Sequence, residues 1–174
     1  MDHHYYMGLA LDQARDALEH GEFPVGAVIV ADGQVVASGR REHSIAQTAN
    51  ELDHAEIVAL RGLLAERPDI DRQGLVVYST MEPCLMCYAT LLLNGVRTMV
   101  YAYEDAMGGG TGLVLSQLAP LYRAMEPEVR LVAKVRRQES LVLFKEFFSS
   151  GRNDYWRGSL LEEYTLAQSL META

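Results

Sequence analysis

Runs of β-branched residues alternate with helical stretches along most of the chain. This alternation restricts the fold to a layered α/β domain, with helices on both faces of one sheet. Apolar residues at helical spacing (Leu9, Leu11, Ala14, Leu18) predict a helix over 4–20, stopped at Gly21. In PVGAVIVADGQVVASG two apolar runs flank Asp32-Gly33, a strong hairpin signal, so strands are expected at 25–31 and 34–39. Residues 40–53 are polar and read as a surface loop. HAEIVALRGLLAE predicts a helix over 54–66, ended by the approach of Pro68. LVVYST predicts a buried strand at 75–80. Pro83 suits the first turn of a helix that carries CLMCYATLLL and stops at Asn94-Gly95. A strand at 97–103, a glycine-rich loop (MGGGTG), a helix near 113–125, a strand in VRLVAKV and a helix over 138–149 complete the pattern.

The chain has 174 residues, enough for one domain with a sizeable core. The expected division is a domain at 1–150 and a helical tail at 151–174, after the turn signal Gly151-Arg152-Asn153-Asp154. The tail is expected to pack on the domain or on a second subunit. No apolar run reaches the eighteen residues of a membrane span. The N-terminus lacks a basic leader with a cleavage site, so a cytoplasmic location is expected.

The net charge is -9 and the pI about 5.0. A protein that grips nucleic acid through phosphates needs a basic face. Only Lys134, Arg136 and Arg137 cluster, and the tail carries Glu162, Glu163 and Glu172. A small-molecule partner is therefore expected rather than nucleic acid.

The only two cysteines, Cys84 and Cys87, stand in C-x-x-C spacing. At that spacing on a helix both sulfurs face one way. Both fall in a first turn, where free N–H groups favour the thiolate that zinc binds. His54 supplies a third ligand, and three protein ligands leave the open position of a catalytic zinc site. Zinc lowers the pKa of its water from 15.7 to about 7. Glu56, two residues beyond His54, is placed to act as general base and then as acid toward a leaving amine. A redox role for Cys84-x-x-Cys87 would leave His54-x-Glu56 without a purpose.

His54-Ala55-Glu56 with Pro83-Cys84-Leu85-Met86-Cys87 matches the H-x-E…P-C-x-x-C signature of zinc-dependent nucleobase deaminases. The chain resembles the branch that holds tRNA adenosine deaminases, fungal cytosine deaminases and bacterial guanine deaminases. The resemblance runs from about residue 7 to 148. It includes PVGAVIV, HAEIVALR, MEPCLMC and Glu104-Asp105-Ala106. It implies a three-layer α/β/α sandwich around a mixed five-stranded sheet, one zinc ion per chain, hydrolytic release of ammonia, and a homodimer. By resemblance Val25, Ala55, Glu82 and Asp105 belong to the substrate pocket. Trp156 matches the closing aromatic of the cytosine branch, or else packs the tail. Guanine deaminases tend to carry Phe where this chain has Val25.

The family usually places a base-contacting Asn in a Gly-x-Asn context after the hairpin. Here the stretch reads Gly39-Arg40-Arg41-Glu42. Asn50 is the nearby amide that could replace it. Asp53 is expected to cap the helix that follows. The resulting expectation is deamination of a free nucleobase or nucleoside. The alternative is adenosine in tRNA, and a zinc-stabilised subunit without turnover ranks last.

Overall fold

A computed structural model describes residues 2–170. Five strands form one sheet: β1 (Gly26–Ala31), β2 (Gln34–Arg40), β3 (Val76–Met81), β4 (Thr98–Tyr103) and β5 (Arg130–Val132). Their order is β2-β1-β3-β4-β5. β1 is antiparallel to β2 and β3, whereas β4 is parallel to β3 and β5, so the sheet is mixed.

Side chains alternate across the strands with the period of two that a pleated sheet imposes. Val28, Val30, Tyr78 and Val100 point into one core, and Ile29, Val77 and Met99 into another. The first core is closed by α1 (His3–Glu19) and α5 (Arg137–Ser150), through residues such as Met7, Leu11 and Phe144. The second is closed by α2 (Ala55–Glu66) and α3 (Leu85–Leu93), through Leu60, Leu63, Leu91 and Leu92. The result is the α/β/α sandwich. Among the described residues no helix is long and apolar enough to cross a membrane.

Two glycines place the elements that matter for the site. Asp32 and Gly33 both have positive φ (49° and 75°), the conformation of a type I′ hairpin turn. A Cβ on Gly39 would lie 2.4 Å from the carbonyl oxygen of Ala55. Only glycine there lets the start of α2 lie directly on β2.

Three expectations require correction. The helix near 113–125 is instead a 3₁₀ turn (Leu115–Gln117) followed by α4 (Pro120–Met125). Pro120 has no N–H to continue a helix and instead opens a new one. The fifth strand is confined to Arg130–Val132, because Lys134 and Arg136 take left-handed backbone (φ 65° and 54°) and turn the chain into α5. The tail is helical only over α6 (Leu160–Ala167), capped by Ser159. Residues 151–159 are irregular and include Tyr155 and Trp156. α6 buries Leu161 in the first core, and the Thr165 and Tyr103 hydroxyls meet at 3.1 Å. The last four positions of the expected tail, among them Glu172, lie outside the described residues.

Candidate active site

The start of α2 and the start of α3 meet beyond the C-terminal end of β3. His54 is the N-cap of α2 and Cys84 the N-cap of α3, both in extended backbone. Pro83 therefore stands one residue before the cap, not within the first turn. His54 Nδ1 lies 3.6 Å from Cys84 Sγ and 3.5 Å from Cys87 Sγ. All three donor atoms lie within 4.8 Å of one another. A tetrahedral zinc ion with Zn–N near 2.0–2.1 Å and Zn–S near 2.3 Å holds nitrogen and sulfur about 3.6 Å apart. The donor set fits zinc in both chemistry and spacing.

The two thiols are coupled. The hydrogen bond from Cys87 holds Cys84 down to about 4, while the same bond and burial push Cys87 upward. Glu56 is buried, and burial raises its carboxyl above the ordinary range. Its Oε1 accepts from Ser79 Oγ at 3.0 Å, and its Oε2 lies 3.6 Å from Cys87 Sγ. A carboxyl held in this way beside a metal can both take and return a proton.

These groups open onto a cavity of about 330 Å³. Val25, Ala55, Glu82, Asp105 and Trp156 all line it together with His54, Glu56 and Cys84. Cys87 is buried beneath its floor. Two of the lining carboxylates are occupied by the glycine-rich loop. Glu82 accepts from the backbone N–H groups of Asp105 and Thr111, both at 3.2 Å. Asp105 accepts from Met107 and Gly108 at 3.0 and 2.8 Å, and burial pushes its carboxyl upward. The loop is tied down, since Gly110 also donates to the Pro83 carbonyl at 2.9 Å.

The opposite wall holds residues the sequence left without a role. Arg41 stands where the family pattern has Asn, and it is buried, with 2% of its surface exposed. Its guanidinium donates to the carbonyls of Glu42, Asn50 (2.7 Å) and Asp53 (3.1 Å), and so clamps the 42–53 loop. The guanidinium also lies 5.3 Å from the Tyr155 ring centroid. Tyr155 in turn packs on Phe23 and Trp156, with centroids 5.2 and 5.1 Å away. The departure from Gly-x-Asn marked this position, but the buried contacts come from 42–53 and from residue 155, which no local pattern connects.

Asn50 and Asp53 correct two expectations. The Asn50 amide does not line the cavity: its Oδ1 accepts from Leu52 and Asp53, and its Nδ2 donates to Asp53. Asp53 does not cap α2. Its carboxylate takes Asn50, Arg61 and His43, and the Asn50 bond leads in holding it down to about 2.

Residues 1–103 match the cytidine and deoxycytidylate deaminase zinc-binding region. The chain belongs to that deaminase family. It is a hydrolytic C–N deaminase with a zinc-binding domain, in which His54, Cys84 and Cys87 are positioned to hold a metal ion. The tRNA-specific adenosine deaminase 2 of Xenopus tropicalis is 32% identical over 149 residues, spanning 82% of this chain and 86% of the relative. The tRNA-specific adenosine deaminase of Agrobacterium fabrum is 33% identical over 153 residues, spanning 86% and 96%. A solved structure from a study of A-to-I editing by tRNA:A34 deaminases superposes with TM-score 0.65 at 27% identity, covering 80% of this deaminase and 98% of that chain. These relatives are named for adenosine in tRNA. That finding overturns the expectation of a free nucleobase or nucleoside as substrate. Net charge, on which that expectation leaned, averages over the whole surface and does not decide between a small molecule and a nucleic acid.

Proposed function

We propose that this deaminase converts adenosine in tRNA to inosine, consuming one water and releasing one ammonia. The observation that carries the reading is its similarity to tRNA-specific adenosine deaminases along 82–86% of its length. His54, Cys84 and Cys87 would hold zinc, which would supply Lewis acidity toward the attacking water. Glu56 is the group placed to take a proton from that water and to return one to the departing amine. Its burial suits this work, because a raised carboxyl pKa lies nearer the operating pH. Val25 and Ala55 are assigned to the apolar wall around the base, and Asp105 and Glu82 to the rim through the loop they hold. Trp156 is assigned to stacking on the flipped base. A homodimer through α3, which exposes Leu85 and Leu93, belongs to the same proposal.

The test is ammonia release and inosine formation by zinc-loaded protein on a tRNA pool and on free bases and nucleosides, with Glu56→Ala as blank. Inosine in tRNA, absent from the blank, is expected. Turnover of a free base with tRNA untouched would overturn the proposal.

A further inference from the structure

A histidine that binds a metal through one ring nitrogen needs its other nitrogen held as a donor. A carboxylate commonly takes that N–H, which fixes the tautomer and raises the basicity of the ligand. In His54, Nδ1 faces the two sulfurs and Nε2 faces outward. The group it meets is Glu51, with Oε2 3.2 Å from Nε2. The same oxygen accepts from the Tyr155 hydroxyl at 2.8 Å. Arg41 stands behind both, 3.5 Å from Glu51 Oε2 and 3.4 Å from the Tyr155 hydroxyl.

The local chain explains how Glu51 reaches the ring from only three positions upstream. Asn50 Oδ1 accepts from the backbone of Leu52 and Asp53, which folds the segment back on itself. The carboxylate then lies against the imidazole instead of trailing into solvent.

We propose that Glu51 is the positioning residue that fixes the metal-binding tautomer of His54, and that Tyr155 of the C-terminal segment holds Glu51 in place. The zinc site is thereby linked to a part of the chain about a hundred positions away. The link runs Tyr155 hydroxyl, Glu51 carboxylate, His54 Nε2, with each group donating to or accepting from the next. Glu51 remains 59% exposed, so solvent weakens the link without replacing its geometry. The effect belongs at the lower end of the 10- to 100-fold that such partners contribute to metal affinity.

The experiment measures zinc affinity of the full chain by chelator competition, which needs no substrate and is independent of which base is deaminated. Glu51→Ala is expected to weaken zinc binding about tenfold. Glu51→Gln keeps an acceptor and should retain most of the affinity. Nitrogen-15 spectra of the zinc-loaded protein should show a protected His54 Nε2–H in wild type and Glu51→Gln, lost in Glu51→Ala. Tyr155→Phe should cost a few-fold alone and nothing further in a Glu51→Ala background. Affinity within twofold of wild type in Glu51→Ala would overturn the assignment of Glu51. So would equal losses in Glu51→Ala and Glu51→Gln with a lowered Tm of the zinc-free protein, since the loop and not the acceptor would then be responsible. A Tyr155→Phe loss that persists undiminished in the double variant would overturn the part given to Tyr155.

Discussion

The cavity has two walls, and they are built on different principles. One wall is made of helix starts: His54 and Glu56 at α2 and Cys84 at α3, with Cys87 buried behind them, all within a few residues of a strand or a cap. Short-range backbone geometry places each group, and the sheet beneath supports them. The other wall is made of irregular chain: the 41–53 loop and the 151–159 segment, joined through Arg41 and Tyr155. Local turns such as the one at Asn50 shape its segments, but no helix or strand supports it. It stands because a buried guanidinium satisfies several backbone carbonyls at once, and because aromatic rings from distant parts of the chain stack on one another. The first wall can carry chemistry that must not vary. The second can change its occupants while the chemistry stays, which makes it the place to look for substrate selection.

The largest effect should come from the first wall. Glu56→Ala should keep zinc, because Glu56 is not among the three ligands, yet lower turnover by about 10³-fold or more. Metal analysis together with ammonia release checks both halves. Near-normal turnover with full zinc would show that the fixed wall does not carry the proton transfer, and the division between the walls would fail.

Arg41→Met addresses the second wall as a structure. Removing the guanidinium takes the side-chain donor from the half-buried carbonyls of Glu42 and Asn50, while the Asp53 carbonyl keeps the Glu42 N–H. The expected cost is about 3 kcal/mol, or roughly 10 °C in Tm for a chain of this size. Differential scanning calorimetry reads it. A fall of less than about 2 °C would mean that water replaces the guanidinium freely and that the wall is looser than its contacts suggest.

Trp156→Ala separates recognition from stability. Trp156 lines the cavity, keeps 40% of its surface exposed and takes a left-handed backbone (φ 59°) that a bulky residue rarely adopts. Stacking on a base contributes about 1–3 kcal/mol. On that scale kcat/KM should fall about tenfold while Tm shifts little. The opposite pattern, a lowered Tm with unchanged kcat/KM, would return Trp156 to packing the tail.

The same division explains what could be read in the sequence. The strands, the hairpin and the metal ligands announce themselves within windows of a dozen residues, through period-two patterning, Asp32-Gly33 and the Cys84-x-x-Cys87 spacing. Asp105 and Glu82 were placed at the cavity by resemblance, but their hold on the glycine-rich loop was not visible. Arg41, Glu51 and Tyr155 were hidden for a different reason. Their roles arise from contacts that span from three to more than a hundred positions, made by chain with no periodicity. The helix at 113–125 failed where Pro120 overrode an apolar pattern. The expectation of a free base leaned on whole-chain charge, and the similarity to tRNA-specific adenosine deaminases overturns it.

The smallest effect concerns how the C-terminal segment is anchored. Glu104 accepts from Arg137 through both oxygens and from the Tyr164 hydroxyl at 2.7 Å, which pins α6 to the end of β4 and the start of α5. Burial pushes the Glu104 carboxyl up, but the Arg137 and Tyr164 hydrogen bonds more than offset it and hold the group down to about 2. A carboxyl whose pKa is lower in the folded state stabilises the fold fully above its ordinary value of about 4.5, and loses that contribution as pH falls toward 2. Glu104→Gln should therefore be less stable than wild type at pH 7, by about 1 kcal/mol once partial exposure is allowed for. The gap should hold down to about pH 4.5 and narrow below it, as Glu104 of the unfolded wild-type chain takes up a proton that the folded protein does not bind until nearer pH 2. Thermal melts of both proteins from pH 7 to pH 3 test this. A constant gap across that range would mean that the charge on Glu104 does nothing, and that α6 is held by its other contacts, such as Leu161, the Tyr103–Thr165 pair and Lys145 on the Leu166 carbonyl.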